Sequence, residues 1–259
     1  MTRHIDFHGI DNFRDFGGYD TVCGRGLKRG LLYRSANHAH ATEADLARLR
    51  DLGVAVVVDL RRSTEREREP SRRWADFAAD VIENDIGTAD EDWAAGLKDA
   101  DVTPEWFRQD GLSFYRKAPH EPRHMDLFAR YFRALAQSDG AVLVHCAAGK
   151  DRTGLICALT HHLAGVSHED MMADYLLTNE PAHVARRCQR LITFIDRHVG
   201  KRIDEATARI AVSVDVAYLD AAFEEIERQH GGLDGYLDEA LGLDAPLRER
   251  IHQRILGRD

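Results

Sequence analysis

The sequence predicts an α/β fold: a mostly parallel central sheet flanked by helices, with a helical insertion in mid-chain and extra helices at the C-terminal end. Three observations carry this. Two continuous apolar runs, VAVVVDL (54–60) and AVLVHC (141–146), have the pattern of strands covered on both faces. Segments with helical apolar spacing alternate with the strand-like runs. Beyond residue 150 the chain reads as helical throughout. With 259 residues, 44% of them hydrophobic, it can bury a sizeable core. It has no internal repeat, low-complexity tract or clear linker, so residues 1–259 are read as a single domain.

Taken in order, LLYRS (31–35) is the first strand. ATEADLARLRDLG (41–53) is a helix opened by a capping box, Thr42 with Asp45, and closed by Gly53. The run 54–60 is the second strand and ADVIENDI (79–86) the third. Residues 87–124 break the alternation and hold Trp93, Leu97, Trp106, Phe107, Phe114 and Tyr115 with acids between them. They read as a helical insertion packed on the core, with a lid over an active site as the sharper alternative. DLFARYFRALAQ (126–137) puts Leu127, Phe128, Tyr131, Phe132 and Leu135 on one helical face. After the strand at 141–146 come a capping pair, Ser167 with Asp170, and a first-turn proline, Pro181. DVAYLDAAFEEIERQHGG (215–232) and DAPLRERIHQRIL (244–256) complete the helices.

Composition narrows the function classes. A net charge of −9 argues against a nucleic-acid partner, but an anionic substrate needs only a local positive field. The opening MTRHIDFHGIDNFRDFGG lacks the apolar centre of a signal peptide, and no run approaches the ~18 apolar residues of a membrane span. Cys23, Cys146, Cys157 and Cys188 form no C-x-x-C pair and no zinc-ligand spacing, and no metal is expected, because the arginine and backbone donors of the loop at 145–154 supply the charge stabilisation. They read as reduced thiols of a cytoplasmic protein, with leaderless secretion left open.

The chemistry concentrates in HCAAGKDRTG (145–154), between a buried strand and a helix. Ligands of open α/β sheets bind beyond the carboxyl ends of strands, so this loop is a site by position. Its amides can converge on an anion, and the following helix adds its positive dipole end. Gly149 permits unusual backbone angles, and Arg152 is a planar cationic fork suited to phosphate oxygens. A thiol at Cys146 in that field is expected to be acidified into the range of ~3.5–7.5 and to need no separate base. The inferred reaction is in-line attack of Cys146 on a phosphomonoester, giving a phosphocysteine that water hydrolyses. CGRGLKR (23–29) has the same cysteine-to-arginine spacing, but no buried strand precedes it and a strand follows, so Cys23 reads as a loop cysteine. The GKD triplet is not a nucleotide-binding P-loop, because Val144 stands at the earlier glycine position and Asp151 follows Lys150.

HCAAGKDRTG resembles the signature loop of cysteine-dependent protein-tyrosine phosphatases, and Lys150 with Asp151 is similar to their atypical bacterial branch. NFRDFGG (12–18), LYRSA (32–36), DLRRSTERERE (59–69), ADYLLTN (173–179) and GGLDGYLDEALGL (231–243) resemble that branch too, so the likeness spans nearly the whole chain. It is weakest over 87–124. The resemblance implies a protein-tyrosine-phosphatase-like fold, no cofactor, and action on phosphotyrosine, with phosphoserine, phosphothreonine and phosphoinositides as further substrates of some members.

On that resemblance Cys146 is the nucleophile, Arg152 the phosphate clamp, and His145 orients the loop. Ala147, Ala148, Gly149, Lys150, Thr153 and Gly154 form the phosphate-binding cradle. Thr153 hydrogen-bonds the sulfur or caps the helix. Lys150 contacts a second anionic group or is simply solvated. The proton donor is Asp151, to which the branch gives a catalytic part, with Asp85, Asp90 and Asp92 as alternatives. Arg14, Asp15, Arg34, Ser35, Asp59 and Arg61 fall near the site; for Asp59 and Arg61, an ion pair at the strand end competes with substrate contact. RRSTERERE reads as a solvated helix start. A small-molecule phosphatase acting on an inositol phosphate or nucleotide, and a non-catalytic phosphate-binding module, are the competing functions. Oligomeric state, physiological substrate and any disulfide partner of Cys146 are not legible.

Overall fold

The computed structural model describes residues 3–87 and 93–257. The elements run β1 (Arg14–Asp15), β2 (Gly26–Leu27), β3 (Leu32–Ser35), α1 (Glu43–Asp51), β4 (Val54–Asp59), α2 (Ser63–Arg68), β5 (Asp80–Ile82), α3 (Trp93–Asp99), α4 (Pro104–Lys117), α5 (Pro122–Gln137) and β6 (Ala141–His145). There follow α6 (Asp151–Ala164), α7 (His168–Leu176), α8 (Pro181–Phe194), α9 (Glu205–Val212), α10 (Val216–His230), α11 (Leu233–Gly235), α12 (Ala245–Ile255) and β7 (Leu256–Gly257). The main sheet has the order β1-β3-β6-β4-β5, with β1 antiparallel and the rest parallel. The α/β class expected from the sequence is the one observed.

The apolar runs are buried on both sides because two cores meet across the sheet. Val56, Val58, Val142 and Val144 face the larger core, built with Leu127, Phe128, Tyr131 and Phe132 of α5 and with α6. Val54, Val57, Ala141 and Leu143 face a smaller one with Leu46 and Leu49 of α1 and Trp74. The α5 face read from the sequence is buried as expected. The α1 capping box is complete: Asp45 N donates to Thr42 Oγ1 at 3.2 Å and Thr42 N to Asp45 Oδ2 at 2.8 Å.

Register sets the site. Ser35 of β3 and Asp59 of β4 both pair with His145 of β6, so three strands end abreast at one carboxyl edge. The third expected strand is shorter than its apolar pattern suggested: β5 stops at Ile82. Beyond it the chain is held by α5, with Asn84 Nδ2 donating to Asp126 Oδ2 at 2.7 Å and to Arg123 O at 3.0 Å. Two-residue pairings, β2 with β7, join the beginning and end of the chain. Helices α3, α4, α8 and α9 pack among themselves through Leu97, Phe107 and Ile195 just past the end of α8, and through Val184, Cys188, Ala208 and Val212.

Candidate active site

Cys146 follows the last residue of β6 and is 2% exposed. The chain then turns through Ala147–Lys150 into α6, whose N-terminal end faces the turn. Donors from the β1 and β3 side take the loop's carbonyls. Asn37 N reaches Ala147 O at 3.0 Å, and Asn12 Nδ2 reaches Gly149 O at 2.8 Å and Ala148 O at 3.5 Å. Arg34 Nη2 also donates to Gly149 O, at 3.0 Å. In a trans peptide the N–H lies opposite its C=O, so the amides of Ala148, Gly149 and Lys150 point away from these donors, toward the inside of the turn. Gly149 has φ +63°, and a Cβ there would lie 2.4 Å from the carbonyl carbon and oxygen of Ser35. Only glycine fits.

Arg152 crosses to the end of β4. Its Nη1 donates to Glu65 Oε2 at 2.6 Å and to Leu60 O at 3.1 Å, and Nη2 donates to Glu65 Oε1 at 2.8 Å. This end-on fork leaves the Nε edge of the guanidinium without a protein partner among the described residues. Burial opposes the arginine's charge, but Glu65, and then Cys146 and Asp151, outweigh it and hold the proton more firmly than usual. For Glu65, burial favours the neutral acid, yet Arg152 prevails and brings the carboxyl down to about 2. Glu65 also accepts from Arg62 N at 2.8 Å, which fixes it at the start of α2. It lies within the run read as a solvated helix start; the helix forms, but this one acid is turned inward onto Arg152.

Arg14 and Arg34, both fully buried, share Asp174 of α7, at 3.3 and 3.0 Å. Arg14 Nη1 also donates to Asn12 Oδ1 at 2.5 Å. Both arginines therefore hold the loop from behind. Asp59 and Arg61 form the strand-end ion pair, at 2.6 Å, and Arg61 ties it to Glu69 O and Ser71 Oγ, each at 2.7 Å. His145 stacks on His38 with centroids 4.6 Å apart, and its Nδ1 lies 3.4 Å from Cys146 O. Burial, against the pull of Asp59, lowers His145 to about 4, so it is neutral near pH 7. Ser35 Oγ donates to Ala36 O at 2.8 Å and lies 3.0 Å from His38 Nε2. Asp15 is away from the loop, accepting from Gly17 N and Gly30 N.

The Lys150 side chain is largely shielded from solvent. Its Nζ donates to Ala211 O at 2.8 Å and Ser213 O at 3.3 Å, tying the loop to the end of α9. The Thr153 hydroxyl is buried and has no hydrogen-bond partner among the described residues, so neither bond expected of it is made. Gly154 faces Tyr175, where a Cβ would lie 2.8 Å from Cε2 of the ring. Asp151 opens α6 and accepts from Tyr115 Oη at 3.2 Å. Asp85 is largely exposed and paired with Arg66. Asp90 and Asp92 lie outside the described residues. Cys23 sits in an exposed turn.

The site thus brings together Cys146–Gly154, Asn12, Arg14, Arg34, Asp59 and Glu65. The chain reading missed Asn12, Asn37, Glu65, Tyr115, Asp174 and Tyr175; several lie in the quoted motifs, but nothing local marks their partners. Arg123 adds charge beside Arg152, donating to the same Leu60 O at 3.2 Å. Burial and the neighbouring Arg152 bring its guanidinium down to about 10. A cavity of about 550 Å³ adjoins it, with Arg62, Arg116 and Lys117 in its wall alongside Asp85, Glu121 and Glu225.

A sequence profile of the tyrosine phosphatase family matches residues 5–257. The chain is 36% identical over 251 residues to a Cupriavidus necator protein provisionally named a tyrosine-protein phosphatase, covering 95% of this chain and 88% of that one. It is 29% identical over 279 residues to the triple specificity protein phosphatase PtpB of Mycobacterium tuberculosis, covering 96% and 98%. Among solved structures it is similar to P. aeruginosa TpbA, at 20% identity and a TM-score of 0.30, over 71% of this chain and 86% of that one. Matched along almost its whole length, the chain belongs to the tyrosine phosphatase family and is a phosphoric monoester hydrolase.

Proposed function

We propose that the chain hydrolyses phosphotyrosine through a phosphocysteine on Cys146, and that phosphoserine, phosphothreonine and phosphoinositides are further substrates. The observation that carries this is the Arg152–Glu65 fork, at 2.6 and 2.8 Å, which leaves the Nε edge of the guanidinium for a ligand next to the loop amides. Two phosphate oxygens match that edge, and the amides of Ala148, Gly149 and Lys150 take the rest of the charge. The Cys146 sulfur attacks phosphorus in line with the departing oxygen. Asp151 gives that oxygen its proton, and then takes one from the water that cleaves the S–P bond. Asp85 suits this task less well, being exposed and paired with Arg66. Breadth of substrate is supported by the triple specificity named for the PtpB relative and by the cations beside Arg123.

The test is hydrolysis of phenyl phosphate, phosphopeptides and phosphoinositides by wild type and Cys146→Ser. The expected result is turnover by wild type, a loss of at least about 10³-fold in the serine variant, and a phosphocysteine trapped by rapid acid quench. An active serine variant, or no phosphoenzyme, overturns the reading. With inositol phosphates and nucleotides assayed beside these, turnover confined to them would favour a small-molecule phosphatase.

A further inference from the structure

The oxygens of Asp151 are not equivalent. On one side, Tyr115 Oη lies 3.2 Å from Asp151 Oδ1 and 2.7 Å from Tyr175 Oη. Lys150 Nζ approaches the same Oδ1, at 3.6 Å. An ionised carboxylate only accepts, so the single Tyr115 proton goes to Oδ1 and Tyr175 must donate to Tyr115. When the carboxyl is protonated, Oδ1 still receives Tyr115 as a carbonyl oxygen, and the proton belongs on Oδ2.

We infer that Tyr115, oriented by Tyr175, is a positioning residue that selects Oδ2 of Asp151 as the oxygen delivering the proton to the leaving group. This rests on the proposed role of Asp151. In the first step the S–P bond forms, the P–O bond to the leaving group breaks, and the Oδ2 proton moves to that leaving oxygen. In the second, water adds to phosphorus, its proton returns to Oδ2, and the thiolate leaves.

The surroundings hold the two phenols to this task. Both are fully buried, and an unpaired hydroxyl there would be costly. Burial pushes both phenols well above their ordinary range; Tyr175 and Asp151 add to this for Tyr115, and Asp151 adds to it for Tyr175 against the opposing hydrogen bond with Tyr115, so both stay protonated donors. The Tyr115 ring is stacked on Tyr218 of α10, centroids 5.5 Å apart and planes 22° from parallel. Glycines make room for these rings. A Cβ at Gly111 of α4 would lie 2.9 Å from Tyr218 Cζ, and one at Gly154 of α6 would lie 2.8 Å from Tyr175 Cε2. The mid-chain segment that breaks the α/β alternation therefore supplies a residue to the catalytic loop.

The experiment is the dependence of kcat/KM on leaving-group basicity in wild type, Tyr115→Phe, Tyr175→Phe, Asp151→Asn and the Tyr115→Phe/Asp151→Asn double variant. Phenyl phosphate needs its leaving oxygen protonated; 2,4-dinitrophenyl phosphate does not. Tyr115→Phe keeps the stacked ring and should lose about 10–100-fold on phenyl phosphate, part of the ~10²–10⁴-fold carried by a general acid. It should stay within about twofold of wild type on the dinitrophenyl ester, and the double variant should match Asp151→Asn. Equal loss on both esters, or no loss on phenyl phosphate, overturns the inference. If Tyr115→Phe does not fold, Tyr175→Phe gives the same reading with a smaller loss. If Asp151→Asn itself shows no leaving-group dependence, the assignment of the acid fails first; if it does and the tyrosine variants do not, only the positioning role fails.

Discussion

Glu65 decides how Arg152 is presented. A neutral glutamine would keep the shape and the contact with Arg62 N but remove the charge that makes the fork rigid. Glu65→Gln should lower kcat/KM about 10–100-fold on phenyl and dinitrophenyl phosphates alike, since phosphate binding rather than leaving-group protonation is lost; steady-state kinetics on the two esters checks this. The contrast with Tyr115→Phe separates the two halves of the machinery. Sequence made the loop legible because its cysteine, glycine and arginine are near neighbours and their chemistry is local. It could not single out Glu65 among the charges of RRSTERERE, because only the turn of α2 and the reach of Arg152 distinguish that acid. Tyr115 and Asp174 were hidden for the same reason: their partners are 36 and 160 or 140 residues away.

At the scale of elements, buried strands and helix caps were readable because both are written in short-range periodicity. The two-residue strands have no period to read, and β5 ends early because Asn84 is drawn to α5. The loop between β6 and α6 is an element in its own right, held open by carbonyl contacts to Asn12, Arg34 and Asn37. Gly149→Ala would force a side chain into the Ser35 carbonyl at φ +63°. Strain of about 1–3 kcal/mol is expected in a loop otherwise well anchored. Activity should fall by more than about 100-fold while the thermal midpoint drops only a few degrees, checked by kinetics beside differential scanning calorimetry.

Across the whole molecule, acid carboxylates tie distant segments together. Asp11 binds Arg186 and Arg190 of α8, Asp59 binds Arg61, Asp174 binds Arg14 and Arg34, and Glu65 binds Arg152. Burial favours the neutral form of each, but the facing cations and hydrogen bonds prevail and depress all four. A depressed acid stabilises the fold above its ordinary value, and that contribution is lost as pH falls toward the folded value. Stability should therefore decline below about pH 4.5, the ordinary value for Glu65. For Glu65, the fall from 4.5 to about 2 corresponds to about 3 kcal/mol. Urea unfolding should show Glu65→Gln less stable than wild type at pH 7, with the gap closing between pH 4.5 and 2. A gap that does not change over that interval would refute the assignment. Among the described residues no helix is long and apolar enough to cross a membrane.

The carboxylate shared by Arg14 and Arg34 has a consequence for how this protein can drift through mutation. Losing Asp174 alone would strand two cations in the interior, and losing either arginine would leave the acid half-compensated beside the other. A single substitution that removes one of the three charges meets that penalty, so a change that discards the trio together costs less than one that discards a single member.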